Sequence, residues 1–265
     1  MCTPRYDITL DQFMGVAHLL PCQRGNVAVG NCTFVNALLW MCRTGALWRD
    51  LPECYGKWIT VCRRFNRWSR SGAIEHLFTA LQEERIIGVG IRVLAMDSTS
   101  VKVYRHAAGA PKKGGSRSVG VSRGGRNTKV HVVSGSGSML VRIHLSPGDE
   151  HDAAHGCRSM AALGAFVGAH LLMDRAYEGG GDSIRLLAES SGLTPVVPPK
   201  KNRTDPWDYD RQAYKGRNVV ERVFNRMKHH RKAATRYDRL DETFLANLQL
   251  ILIAIYLKKH SQKPN

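Results

Sequence analysis

The chain has 265 residues, room for one sizeable domain with a small companion or for two modest domains. Its 39 lysines and arginines against 22 acidic residues give a formal charge of +17, which points to a nucleic acid as the partner. A membrane-surface role would need an amphipathic anchor, a lipidation signal or a signal-peptide-like start, and the sequence reads as having none of them.

The first ninety or so residues read as helical. "TLDQFMGVAHLL" opens with Thr9 and Gln12 at capping-box spacing, and "TFVNALLWMCRTG" ends on Gly45 as a C-cap. After the turn "ALWRDLP", "KWITVCRRFNRWSRSG" has a core stripe of Trp58, Val61, Cys62, Phe65 and Trp68, with Arg63, Arg67 and Arg70 towards the other side. "AIEHLFTALQEER" is a fourth helix. Short helices, one of them arginine-faced, suit a helix-turn-helix-like DNA-binding domain over residues 1–90.

After "IIGVG" the pattern becomes mixed. "IRVLAMDSTSVKVY" is an apolar strand-like run ending in Asp97, and "NTKVHVVSGSGSMLVRIHLSPG" is a hairpin. "GAPKKGGSRSVGVSRGGRN", before it, reads as a mobile basic loop near the nucleic acid or as a plain flexible linker. "AHLLMDRAYEG" is a second apolar run ending in an aspartate, Asp174. "DSIRLLAESSG" is a helix with Asp182 as N-cap and Gly192 closing it, and "LTPVVPP" is a last strand. "FLANLQLILIAIYL" is too short to span a bilayer and reads as a buried helix. Residues 91–265 therefore read as one α/β domain. The seven cysteines lack zinc-finger spacing and are expected to be mostly small core residues in a reducing cytoplasm.

"VLAMD" and "HLLMD" share one design, a buried strand stopping at an aspartate. On neighbouring strands Asp97 and Asp174 would project side by side, and their repulsion would favour a hard cation such as Mg²⁺ or Mn²⁺ between them. Taken alone, each aspartate reads as a turn cap rather than a ligand. The segment "YKGRNVVERVFNRMKHHRK" carries one carboxylate, Glu221, among many cations. At about 100° per residue, Arg217, Asn225 and Lys228 fall within about 40° of Glu221, whereas Val220, Val223, Phe224 and Met227 form a docking stripe roughly 110° away. Arg222, Arg226 and His229 share the remaining side. In "GDEHDAAH" an Asp152 cap on the next helix is favoured over a metal cluster, with His151 and Asp152 kept as candidates near the site.

Asp97, Asp174 and Glu221, in this order, resemble the DDE triad of bacterial insertion-sequence transposases. Tyr214, Arg217, Glu221 and Lys228 match the Tyr-x-x-Arg-x-x-x-Glu-x-x-x-x-x-x-Lys signature of the group that includes the insertion sequence five family. "SRGGRNTKVHVV", "LSPGDEHDAAH" and "LWRDLPECYGKWITVCRRFNRWSRSGAIEHLF" extend the resemblance along nearly the whole chain; Arg126-Asn127 before "TK" is a departure. The resemblance implies a ribonuclease-H-like core with Asp97, Asp174 and Glu221 as catalytic, metal-binding residues. It implies two Mg²⁺ ions, replaceable by Mn²⁺, and double-stranded DNA, both element ends and target, as partner. Tyr214, Arg217, Lys228, Arg222, Arg226, Lys129, Arg63, Arg67 and Arg70 would bind DNA or phosphate. A homodimer or larger assembly on paired ends, nucleoid-associated in the bacterial cytoplasm and away from the membrane, follows. A catalytically inactive DNA-binding remnant and a stand-alone nuclease on the same core are the alternatives.

Overall fold

The computed structural model describes residues 6–23, 27–85, 91–107, 118–135, 139–161, 163, 166–180 and 183–260. Its principal elements run α1 (Leu10–Ala17), α2 (Asn31–Thr44), α3 (Trp58–Arg70), α4 (Ala73–Arg85), β1 (Val93–Val103), β2 (Gly120–Ser122), β3 (Gly125–Gly135) and β4 (Met139–Pro147). They continue as α5 (Asp152–Ala161), β5 (His170–Met173), α6 (Ser183–Ser190), β6 (Thr194–Val196), α7 (Arg211–Tyr214), α8 (Asn218–Lys228), α9 (Arg231–Ala234) and α10 (Asp241–His260). Two compact units result. One is Met1–Glu84 with Tyr104–Pro111 and Arg226–Asn265; the other is Arg85–Val103 with Lys112–Asn225. Among the described residues no helix is long and apolar enough to cross a membrane.

In the first unit, Gln12 N–H donates to Thr9 Oγ1 at 3.2 Å and Thr9 N–H to Gln12 Oε1 at 2.9 Å, closing the expected capping box. Gly45 ends α2 at φ 65°, where a side chain is strained, and its N–H donates to Met41 O at 3.0 Å. Phe34, Leu38 and Met41 of α2 are buried, and so are Phe244, Leu248 and Ile251 of α10. Apolar residues line every side of α10, which is why it buries rather than floats on a surface. Within α3, Val61, Phe65 and Trp68 are buried, Trp58 and Cys62 are half-buried, and Arg63, Arg67 and Arg70 are exposed. Arg64 differs from its neighbours. It donates to Val29 O at 2.9 Å and lies over the Phe34 and Trp68 rings, 4.2 and 4.6 Å from their centroids.

The second unit is built on a mixed sheet in the order β2-β3-β1-β5-β6, with β4 also paired to β3. β1 is antiparallel to β3 on one side and parallel to β5 on the other, and β5 is parallel to β6. This is the α/β arrangement expected for the second part of the chain. Leu94, Met96, Val133, Leu171 and Met173 of the sheet share a core with Ala153 and Met160 of α5 and with Ile184 and Ala188 of α6. Gly156 allows α5 to approach: a Cβ there would stand 2.7 Å from Ile184 Cδ1 and 2.9 Å from the Tyr177 ring.

Several expectations change. β1 does not stop at Asp97 but continues to Val103, because β3 keeps pairing with it as far as Lys102. The part of the Gly/Ser-rich stretch from Gly120 onward is not a loop: β2 and β3 form a tight hairpin, with Gly125 at φ 90° supplying the turn. Residues 109–117 of that stretch, "IIGVG" and the Asp182 cap lie outside the described residues. Of the cysteines described, only Cys42 is fully buried, and exposed Cys54 is disulfide-bonded, so thiols as core filler hold at one position.

Gly45→Ala puts a side chain at positive φ with its Cβ 2.8 Å from Arg231 Cβ. We expect a loss of about 1–2 kcal/mol in unfolding free energy, read as a lower urea midpoint with unchanged slope.

Candidate active site

Parallel pairing of β1 with β5 matches Met96 to Met173, so the next residues, Asp97 and Asp174, occupy equivalent places on adjacent strands. Asp97 Oδ1 accepts from Ser98 N–H at 2.8 Å, and Asp174 Oδ1 from Arg175 N–H at 2.6 Å. Each carboxylate is thus oriented by the backbone that follows it.

Glu221 arrives from the other end of the unit's chain. Asp210 caps α7, its Oδ1 accepting from Gln212 and Ala213 N–H at 2.9 and 2.8 Å. A 3₁₀ turn over Lys215–Arg217 then interrupts the helix before α8, so Tyr214 does not share one continuous helix with Glu221. Gly216 brings this turn onto the sheet, where a Cβ would already be 3.3 Å from Leu172 Cδ1. Val220, Val223, Phe224 and Met227 are buried, as their spacing requires.

Arg217 ties the acids together. One guanidinium nitrogen donates to Asp97 Oδ2 at 2.6 Å and another to Glu221 Oε1 at 2.8 Å. The guanidinium also lies 5.9 Å from the centre of the Tyr214 ring. Burial raises the pKa of Asp97 and the Asp174 charge adds to the rise, while Ser98 N–H and Arg217 act against it. Burial would lower the pKa of Arg217, but Asp97, Tyr214, Asp174 and Glu221 outweigh it and hold the pKa above the ordinary arginine value. Three carboxylates around one guanidinium leave the cluster net negative. Its donors are all oxygens, which suits a hard divalent cation such as Mg²⁺. The acids stand around Arg217 rather than in a tight knot: among the described residues, the set of three ligands within 4.8 Å of one another is His131, His144 and His155.

The other candidates are spread more widely. Lys228 is two turns beyond Glu221 on α8, half-buried, and burial lowers its pKa. Arg222 and Arg226 are exposed, Arg222 donating to Asn218 Oδ1 at 3.0 Å. Arg63, Arg67 and Arg70 line an open groove of about 580 Å³ with Asn66 and Ser71 in the first unit. The Lys129 ammonium is engaged inside the protein, 3.0 Å from Asp152 Oδ1 and 2.6 Å from Glu150 O. Asp152 does not cap α5. His151 does, its Nδ1 accepting from Ala153 N–H at 3.2 Å, which leaves Asp152 to accept from Ser98 Oγ at 2.9 Å beside Asp97.

Sequence reasoning missed a groove of about 560 Å³ that starts at Asp174 and Tyr214 and adds Arg175, Lys200 and Tyr209. Only Arg175, next to the "MD" motif, carried a signal; Lys200 and Tyr209 reach the groove through the fold.

Asp97 on β1, Asp174 just after β5 and Glu221 on α8 are acids in the order expected of the class of DDE-type proteins. Residues 88–257 match the family described as "Transposase DDE domain", and the chain belongs to that family. Residues 8–78 match a second family, described as "Putative transposase of IS4/5 family". Over 87 residues the chain is 41% identical to "Uncharacterized protein y4sN" of Sinorhizobium fredii, a match spanning 33% of this chain and 66% of that one. Over 132 residues it is 27% identical to "Putative transposase for insertion sequence element IS6501" of Brucella ovis, covering 49% of this chain and 98% of that one. Among solved structures, the Mos1 strand transfer complex overlays with a TM-score of 0.30 and 12% identity, over 82% of this chain and 83% of that one.

The raised pKa of Asp97 carries a sign. Protonation is favoured by folding, so stability associated with this group is full below the unfolded carboxylate pKa and is lost as pH rises through the folded value. Asp97→Asn should therefore raise Tm in chelator-containing buffer at pH 7, and the gain should shrink as pH falls through the carboxylate range. Equal Tm values at pH 7 would contradict the burial argument.

Proposed function

We propose that the chain is a transposase that binds the terminal inverted repeats of its element, cleaves them and joins the 3′-OH ends to target DNA. One observation carries this reading: adjacent parallel strands bring Asp97 beside Asp174, and Arg217 links Asp97 to Glu221. Asp97, Asp174 and Glu221 would hold two divalent ions, Mg²⁺ or Mn²⁺. Such ions supply Lewis acidity for the attacking and leaving oxygens of a phosphodiester.

The chain's own groups do the rest. In cleavage, water attacks phosphorus, one P–O bond forms as another breaks, and the 3′ oxygen leaves. In joining, that 3′-OH attacks a target phosphodiester in the same way. Arg217 and Lys228 offset the charge that gathers on the non-bridging oxygens, and the Arg217 fork also fixes the directions of Asp97 and Glu221. Tyr214, with Arg175, Lys200 and Tyr209 along the groove, supplies cations for the backbone and rings for an unpaired base. The expected helical domain, residues 1–90, reads the element ends, with Arg63, Arg67 and Arg70 on phosphates. Two copies acting on paired ends, in the bacterial cytoplasm on the nucleoid, complete the proposal.

A labelled duplex carrying the element's end, incubated with Mg²⁺ or Mn²⁺, tests it. Wild type should cut at the end, and Asp97→Ala, Asp174→Ala and Glu221→Gln should bind the duplex but not cut. Binding without cutting by wild type would leave a DNA-binding remnant instead. Arg217→Ala should slow cleavage by about 10²–10³-fold, the usual loss for one transition-state cation or donor. Arg63→Ala and Arg67→Ala should each weaken end binding and make log K against log[salt] shallower by about 0.9 per lost phosphate contact. Unchanged slopes would remove α3 from the DNA surface.

A further inference from the structure

We propose that His131, His144 and His155 form a site for a transition-metal ion of the zinc class, distinct from the carboxylate site and in the same unit. His131 on β3 lies directly across from His144 on β4, and α5 brings His155 over both. Only 1% of His131 and 9% of His155 remain exposed. The ring centroids of His155 lie 4.6 Å from that of His131 and 5.6 Å from that of His144, and one nitrogen from each ring lies within 4.8 Å of the others.

The hydrogen bonds show how each ring is oriented. His131 Nε2 is 2.8 Å from Ser146 Oγ, whose own proton goes to Pro147 O at 3.3 Å. The hydroxyl therefore accepts from Nε2–H, and His131 Nδ1 keeps its lone pair. His155 Nε2 donates to the Glu150 carboxylate, which can only accept, leaving His155 Nδ1 as the lone-pair nitrogen. His144 Nδ1 faces Ser159 Oγ at 3.4 Å, leaving Nε2. Among the described residues these three buried nitrogens, His131 Nδ1, His144 Nε2 and His155 Nδ1, have no hydrogen-bond partner. One such orphan costs about 1–3 kcal/mol, and three in one cluster is a poor way to fill a core.

A metal ion explains all three at once. Outer nitrogens held by a carboxylate and two hydroxyls, with inner nitrogens bare, is the arrangement by which second-shell groups aim imidazole ligands. Burial keeps His131 and His144 neutral, with pKa values pushed down to about 2 and about 4, and neutral imidazole is the ligating form. Three nitrogens suit zinc and its neighbours in the series, whereas Mg²⁺ wants oxygens. Ligand nitrogens in a tetrahedral site lie about 3.3 Å apart, given Zn–N bonds of about 2.0–2.1 Å. The rings would draw together, and His131 and His144, now stacked with planes 8° apart, would open by rotation about the soft χ2 torsion. The ion would staple β3, β4 and α5, and it would stiffen β1 beside Asp97, because His131 is the register partner of Ser98.

Co²⁺ is the probe, titrated into the full chain carrying Asp97→Asn and Glu221→Gln to silence the carboxylate site. We expect one equivalent to give the intense visible bands of a tetrahedral site, without near-ultraviolet thiolate charge transfer, and Zn²⁺ but not Mg²⁺ to displace it. Adding His144→Gln should abolish the bands. Glu150→Gln, which leaves all three rings in place, should keep the fold and weaken Zn²⁺ binding by about 10–100-fold. Absent or octahedral-type bands, bands that survive His144→Gln, or thiolate charge transfer would overturn the site. So would unchanged affinity in Glu150→Gln.

Discussion

Asp97 and Asp174 are forced together by backbone pairing, and Arg217 is what makes their company tolerable. Hydrogen bonds along β1 and β5 place them at equivalent positions, where like charges repel in a partly buried setting. The guanidinium forks between Asp97 and Glu221, so one cation compensates acids from two distant parts of the chain. The geometry of α7, the 3₁₀ turn and the start of α8 follows from this need. Asp210 starts the segment, Gly216 lets it lie close to β5, and the buried stripe of α8 holds Glu221 at a fixed height. A lysine at 217 would be a point charge and could not span both carboxylates in this way.

The same economy explains why the site is not a stable arrangement for its own sake. Burial raises the pKa of Asp97 and so penalises its charged form, as expected where function rather than folding selects a residue. The surrounding core carries the stability: Leu94, Met96, Leu171 and Met173 are fully buried on the strands that lead to the two aspartates. Strands β1 and β5 have apolar residues just before the acid and a change of backbone role at it. β5 ends, while β1 leaves that parallel neighbour and continues its pairing with β3.

Arginines in this chain divide by burial more than by sequence position. Arg63, Arg67 and Arg70 stay exposed on α3, but Arg64, in the midst of them, is folded over Phe34 and Trp68. Lys129 is likewise drawn into contacts with Asp152 and Glu150. The count of 39 lysines and arginines thus overstates the cations available to a polyanion, since some of them pair with internal acids or pack on rings.

Local chemistry was legible in the residues themselves. The Thr9–Gln12 capping box, the Gly45 C-cap, the α3 stripe, the β3–β4 hairpin and the two "MD" strands depend on near neighbours or simple periodicity, and each was readable without coordinates. So was the family, because its signature spacing lies within a single short segment. What required the tertiary structure were pairings across long separations. The fork of Arg217 to Asp97 spans 120 residues, and His131, His144 and His155 meet only because β3, β4 and α5 pack together. The extension of β1 beyond Asp97 depends on β3, and the cap of α5 passed from Asp152 to His151 because Ser98 and Lys129 claimed the aspartate. Sequence periodicity determines which face of an element is apolar; only the packed fold decides which polar groups meet across it, because a buried charge or ring nitrogen must find its partner in space rather than along the chain.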